Sequence, residues 1–305
     1  LNPVLALLLG VACAALGGDL FVRGAVGIAQ WARIPAGMIG ATVAAFATSS
    51  PELAVAITAS SSGAPLIAIG DALGANVVNI GLILGLALCI GPIRAEGEVV
   101  RRELPFAVGT PLLIGLLALD GRLDRLDAAI LLLVFVFWLI LLLRTVRKSR
   151  AATTAVKPPN RWGSILMMAC GLVLLVLAGD FMVQGAKHVG SILGWSPFVT
   201  GATLVALGTT MPELATTLVS RARGQDEIGL GAILGSCIFN GGVIVAITIA
   251  IAPTSVDPQN LAIGLVAGPT AAALVWPGRA PRLERWRAGL LLFTYAAYLV
   301  ALIFV

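Results

Sequence analysis

The segment GATVAAFATSSPELA (40–54) returns 161 positions later as GATLVALGTTMPELA (201–215), and each copy sets one glutamate in an otherwise apolar run. The same offset, without a gap, relates Gly18-Asp19 to Gly179-Asp180, Thr48 to Thr209, Gly74 to Gly235 and Asn79 to Asn240. A carboxylate at membrane depth is costly, so a duplicated one marks a functional site. A duplicated half-chain with interrupted helices places that site where the two repeats meet.

The chain has 305 residues, 59% hydrophobic and 11% charged, against roughly 25% charged in soluble domains. Apolar stretches run its whole length, so the membrane part is essentially the entire chain. Its formal charge of +5 comes from basic residues in loops between spans, which is a topology signal and not a nucleic-acid surface. Cys13, Cys89, Cys170 and Cys237 all lie in apolar stretches without metal-ligand spacing and are expected to be small buried residues. With His188 the sole histidine, a zinc site or histidine relay has no support. Residues 3–17 lack a basic leader and are expected to start the first span, not a cleaved signal.

Hydropathy and punctuation predict about ten helical spans, at 3–30, 36–61, 65–91, 104–119, 126–144, 163–189, 197–221, 227–251, 259–275 and 287–305. The fold class is an all-α polytopic membrane protein: a first five-helix repeat (1–145), a basic linker (146–162) and a second repeat (163–305). Five is odd, so the repeats are inverted relative to each other. Placing the linker in the cytoplasm puts 16 of the 20 Lys and Arg residues on that side and Arg122, Arg125 and Lys187 opposite, with Arg23, near the inner end of the first span, uncounted. Both termini are therefore expected outside.

Pro51 and Pro212 have no amide hydrogen, so the carbonyls of Ala47 and Gly208 lose their helical donor. Broken helix of this kind survives at membrane depth only where protein or a wet cavity covers it. Thr48 and Thr209 stand one turn before Glu52 and Glu213, with Ser49 and Thr210 three residues before, on the same helix face. In the next span of each half, GDALGANVVNIG (70–81) matches GAILGSCIFNGG (231–242). The glycines at 74 and 235 permit close backbone approach, and Asn79, Asn240 and Ser236 add oxygens. An all-oxygen set with two carboxylates suits hard cations; Ca²⁺ takes about six to eight oxygens. A pair of carboxylates balances one divalent ion or more than one monovalent ion, a direct route to exchange. Asp19 and Asp180 also repeat and are expected to cap or brace helix ends. Asp71 has no acidic counterpart, Ala232 standing there; a structural role and cation recruitment are equal alternatives for it.

At these residues the chain resembles the calcium/cation antiporter superfamily, in particular its bacterial sodium/calcium exchanger-like members. The resemblance rests on Ala47-Thr48-Ser49-Ser50-Pro51-Glu52 with Gly74-Ala75-Asn76-Val77-Val78-Asn79. It rests equally on Gly208-Thr209-Thr210-Met211-Pro212-Glu213 with Gly235-Ser236-Cys237-Ile238-Phe239-Asn240, and on Arg101-Arg102-Glu103-Leu104-Pro105. It implies ten helices, and alternating access by sliding of the first and sixth across a fixed core. It also implies that Glu52 and Glu213 ligate Ca²⁺ and Na⁺, aided by Thr48 and Thr209. Ser49, Thr210, Ser236, Asn79, Asn240 and the carbonyls of Ala45 and Ala206 would complete the sodium sites. Three positions depart from the family pattern: Ala75 for serine, Cys237 for asparagine, and Asn240 where some relatives carry aspartate.

The expected function is exchange of Ca²⁺ for Na⁺ across a bacterial inner membrane, with H⁺ or K⁺ coupling on the same fold as the alternative. The expected partners are those ions and the lipid bilayer, with no cofactor and no nucleic acid, and a monomer sufficing for transport. An intramembrane enzyme is disfavoured because HExxH, GxSxG and paired aspartates within one motif are all missing from the sequence. A passive channel is a third class, separable because it conducts without a counter-ion gradient.

Overall fold

A computed structural model describes residues 2–31, 45–95, 97–148, 160–222, 226–276 and 282–304. Residues 36–44 of the expected 36–61 span lie outside the described residues, as does most of the linker. Helix α1 is Pro3–Trp31; a broken span follows as α2 (Ala45–Thr48) and α3 (Ser50–Ser61). The third span is α4 (Pro65–Val77), a wide π-turn (Val78–Ile83) and α5 (Leu84–Ile90). Helices α6 (Gly97–Leu117) and α7 (Arg125–Lys148) complete this half. The second half begins with α8 (Arg161–Leu193), then α9 (Pro197–Thr200), a π-turn (Gly201–Val205), α10 (Ala206–Thr209) and α11 (Met211–Ala222). After these come α12 (Asp226–Phe239), a π-turn (Asn240–Ile244), α13 (Val245–Ile251), α14 (Pro258–Leu274) and α15 (Arg287–Ile303).

Among the described residues, six helices are long and apolar enough to cross a membrane, and three more apolar helices are shorter. The outer face is apolar, and the hydrophobic interior encloses a cluster of buried polar and acidic side chains. Leu8, Leu133, Leu166 and Phe293 are more than 60% exposed, whereas Glu52, Asp71, Glu213, Asn79 and Asn240 are fully buried. That inversion suits a lipid surround, because large contiguous apolar surface is rare in water. Cys237 is buried as expected, but Cys89 and Cys170 are exposed on the outer face. Their thiols sit among outward apolar side chains, where weak polarity carries little penalty.

Helices α1 and α8 pack along their length, and the order of contacts gives their direction. Gly10 lies against Met182, Gly17 against Gly171 and Leu174, and Gly24 against Ser164 and Met168. Numbers rise on one helix as they fall on the other, so repeat-equivalent helices run antiparallel and the repeats are inverted. A Cβ on Gly17 would come within 3.0 Å of the Gly171 carbonyl oxygen, so only glycine permits this spacing. Two short ladders make the same point at opposite ends. Strand β1 (Ile93–Arg94) pairs with β4 (Arg282–Leu283), and β2 (Arg122–Leu123) with β3 (Thr254–Ser255), each antiparallel. Every ladder joins one repeat to the other.

The repeated acids outside the broken spans hold helix faces. Asp19 pairs with Arg23 at 2.9 Å, and Asp180 accepts from Gln184 at 2.8 Å, all exposed. Asp120 and Asp124 accept from backbone amides of the hairpin between α6 and α7. Buried Glu103 pairs with Arg102 at 2.6 Å and accepts from the Trp138 indole, fastening α6 to α7.

Candidate cation site

Both motif spans break at the same place in the repeat. Ser49 (φ −85°, ψ 12°) separates α2 from α3, and Thr210 (φ −79°, ψ 7°) separates α10 from α11. The break falls two residues before each proline, the residue that cannot supply the next helical hydrogen bond. Each glutamate therefore sits in the first turn of a new half-helix, Glu52 in α3 and Glu213 in α11. The helix dipole favours negative charge there. The asparagines sit at equivalent distortions: Asn79 lies in the π-turn after α4 and Asn240 opens the one after α12. Such turns recur at functional sites because they leave backbone groups free of the α-ladder.

Close packing brings these elements together. A Cβ on Gly201 would stand 2.1 Å from the Ile67 carbonyl oxygen, one on Gly70 2.2 Å from that of Phe198, and one on Gly74 2.5 Å from that of Ala202. Backbone thus lies on backbone where α4 crosses the start of the seventh span. Across the two-fold, Asn76 and Cys237 are repeat equivalents that face each other. The Asn76 amide donates to the Cys237 carbonyl at 3.2 Å, and the Cys237 thiol lies 4.0 Å from the Asn76 carbonyl. Asn76 also accepts from Asn240 at 3.1 Å. Neither Asn76 nor Cys237 was an expected site residue; their equivalence at 161 residues was visible, but their mutual contact was not.

Glu213 accepts from Ser236 at 3.2 Å and, more weakly, from Ser49 at 3.5 Å; the two serine hydroxyls are 2.7 Å apart. Asn79 donates to Ser236 at 3.4 Å. The equivalent of Ser236 in the first repeat is Ala75, which has no hydroxyl, and Thr210 instead donates to the Ala206 carbonyl at 2.8 Å. That carbonyl also receives the Thr210 amide. Thr48 is adjacent to Glu213 and Thr209 to Glu52. Each threonine therefore lies near the glutamate of the other repeat, with the Thr209 hydroxyl donating to Asp71. Of Ala45 the structure describes only the backbone, in the first turn of α2.

Asp71 is the residue that duplication could not reveal. It is fully buried in α4, accepts from Thr209 at 3.0 Å, and lies close enough to Glu52 for their charges to interact. No ion pair among the described residues involves Glu52, Asp71 or Glu213.

Six buried carboxylate and amide oxygens on these elements accept no hydrogen bond. They are both of Glu52, Oδ2 of Asp71, Oε2 of Glu213, and the amide oxygens of Asn79 and Asn240. A buried unpaired charge costs roughly several kcal/mol, and native interiors hold few such groups. Oxygens of this kind are the ligands that hard cations take. Among the described residues no three His, Cys, Asp or Glu side chains form a tight metal cluster. Neutral oxygens must share the coordination, which suits an ion that binds and leaves. If Ser49 and Ser236 act on Glu213 as one hydroxyl pair, Ser49→Ala and Ser236→Ala each weaken Ca²⁺ binding about fivefold, near the worth of one hydrogen bond. The double variant is then no weaker than either single one, a non-additivity that a double-mutant cycle on Ca²⁺ affinity measures directly.

The family model described as "Sodium/calcium exchanger protein" matches residues 2–144 and 163–304. Relatives include the putative antiporter CaxA of Alkalimonas amylolytica, 33% identical over 82% of this chain and 81% of that protein. The inner membrane protein YrbG of Escherichia coli is 30% identical over 90% of both chains. The sodium/calcium exchanger MaX1 of Methanosarcina acetivorans is 26% identical over 99% of this chain and 98% of that one. Among solved structures, the sodium–calcium exchanger NCX_Mj soaked with Na⁺ and Sr²⁺ superposes with a TM-score of 0.68. Its identity is 29%, over 98% of each chain.

Proposed function

This chain belongs to the sodium/calcium exchanger protein family, and from that premise we propose that it exchanges Ca²⁺ for Na⁺ through one shared oxygen site. The observation that carries the proposal is the set of six unpartnered buried carboxylate and amide oxygens contributed by both repeats. Family membership makes the chain an integral membrane cation antiporter and not an enzyme; Na⁺ as coupling ion is the finer step. Two carboxylates bind one Ca²⁺ or several Na⁺ in turn, so occupancy by one ion expels the other.

In this proposal Glu52 and Glu213 are the charged ligands, with Asn79 and Asn240 adding amide oxygens. Thr48, Thr209, Ser49, Thr210 and Ser236 add hydroxyl lone pairs. Ala45 and Ala206 would contribute carbonyls, the latter sharing its oxygen with Thr210. Residues 1–145 and 163–305 act as the two repeats about the 146–162 linker. The linker faces the cytoplasm and both termini face outward, as the basic residues direct, in a bacterial inner membrane. Helices α1 and α8 slide together over the remaining helices to expose the site alternately to each side. A single chain holds every ligand named, so a monomer suffices.

The test is Ca²⁺ uptake into proteoliposomes loaded with Na⁺ and diluted into Na⁺-free medium, beside K⁺-loaded and pH-jump controls. Uptake is expected only with the outward Na⁺ gradient. Uptake driven by the pH jump or by K⁺ alone would overturn Na⁺ coupling in favour of the other counter-ion. Equilibration with no gradient would mark a channel.

A further inference from the structure

We propose that Asp71 is a third cation ligand, forming with Glu52 and Thr209 a one-sided carboxylate subsite that sets preference for divalent over monovalent ions. This rests on the exchange reading above and deepens it.

The geometry separates ligation from bracing. Asp71 uses one oxygen, Oδ1, to accept from Thr209. Its other oxygen, Oδ2, is buried and accepts nothing, as are both oxygens of Glu52 beside it. A brace for a hydroxyl needs only a neutral acceptor, which asparagine supplies. Keeping a full carboxylate fully buried, beside a second one and without an ion pair, is costly unless a cation shares it. Half of the unpartnered oxygens in the site belong to these two residues.

The subsite has no mirror image. Position 232, the repeat equivalent of Asp71, is alanine, and Ala75 opposes Ser236. Around Glu213 the repeat therefore offers two serine hydroxyls; around Glu52 it offers a carboxylate. The two lobes of a symmetric fold differ in charge, one holding a single carboxylate and the other two. Asp71 is eight residues before Asn79 on the same span, about 12 Å along the helix axis. It thus extends the oxygen set towards the α4 N-terminus.

Charge decides the consequence. The attraction between a carboxylate and a cation scales with the cation's charge, so a divalent ion gains twice the free energy of a monovalent ion from the same added group. Removing Asp71 should therefore weaken Ca²⁺ binding by about the square of the factor by which it weakens Na⁺ binding. A purely structural residue would weaken both alike, by spoiling a shared geometry.

The experiment is titration of the purified full chain in detergent with CaCl₂ and, separately, NaCl. It uses the unsubstituted protein, Asp71→Asn, Asp71→Glu and Glu213→Gln, with folding checked by thermal melting. Asp71→Asn keeps an acceptor for Thr209, and Asp71→Glu keeps the charge. For Asp71→Asn the expected result is a Kd for Ca²⁺ raised about 30-fold and a Kd for Na⁺ raised about fivefold; Asp71→Glu should recover most of the Ca²⁺ loss. Unchanged affinities in a folded Asp71→Asn, or equal losses for both ions, would overturn the proposal while leaving exchange intact, provided Glu213→Gln abolishes binding. If the unsubstituted protein bound neither ion, or if Glu213→Gln bound both normally, the exchange reading would fall and this inference with it.

Discussion

Glutamine at position 52 or 213 should cut Ca²⁺ exchange at least ~100-fold while leaving a folded protein. The magnitude follows from the roughly 3–5 kcal/mol at stake when one partner of a buried charge pair is removed, the cation being the other partner. Each carboxylate is fully buried, so water cannot replace the lost charge. Folding should survive because the folded state gives these groups little to lose. Glu52 makes no hydrogen bond through either oxygen, and Glu213 leaves Oε2 unpartnered. Thermal melts in detergent without Ca²⁺ should show Glu52→Gln no less stable than the parent, since an unpaired buried charge has been neutralised. Exchange within twofold of the parent for either variant would refute the site.

Gly201→Ala should act on the opposite quantity, with stability lost before transport chemistry is touched. Its Cβ would meet the Ile67 carbonyl oxygen at 2.1 Å and the Asp71 amide nitrogen at 3.0 Å. Both are backbone atoms of one helix, so no rotamer relieves the overlap. Overpacking costs typically about 1–3 kcal/mol and more where backbone must move; here the upper end is expected, read as a fall in melting temperature and in monodisperse yield. Gly109→Ala is the control, because a Cβ there meets nothing within 4 Å. The displaced helix carries Asp71, so any folded Gly201→Ala fraction should also bind Ca²⁺ more weakly.

Which parts of this were legible in the sequence depended on symmetry. Glu52, Glu213, Asn79 and Asn240 announced themselves because each occurs twice at one offset, and they all lie in the buried site. The expected span limits came within a few residues of most helices, since apolar runs and proline or glycine punctuation mark them directly. Asp71 stayed ambiguous for the converse reason: with Ala232 opposite, duplication had nothing to say, and only burial beside Thr209 resolved its place. The nearness of Thr48 to Glu213 and of Thr209 to Glu52 was also hidden. Helical spacing reports neighbours along one span, whereas these contacts cross between repeats. The π-turns at Asn79 and Asn240 have no composition of their own, being a strain that packing imposes on ordinary helix-forming sequence. The outward position of Cys89 and Cys170 was missed because a lipid-facing and a core-facing apolar residue look alike in hydropathy.

The two short ladders carry a further meaning. Each is a bond between halves, β1 with β4 at one end and β2 with β3 at the other, and Asn76 with Cys237 adds a third such bond at the centre. These are the contacts that two separate subunits would make about a two-fold axis. The polypeptide is in this sense a homodimer that has become one molecule, and fusion released its halves from having to stay identical. A true homodimer bearing an aspartate at position 71 would carry it twice; this chain carries it once. Its broken symmetry at Asp71 and Ala75 is therefore a freedom that only a fused pair possesses.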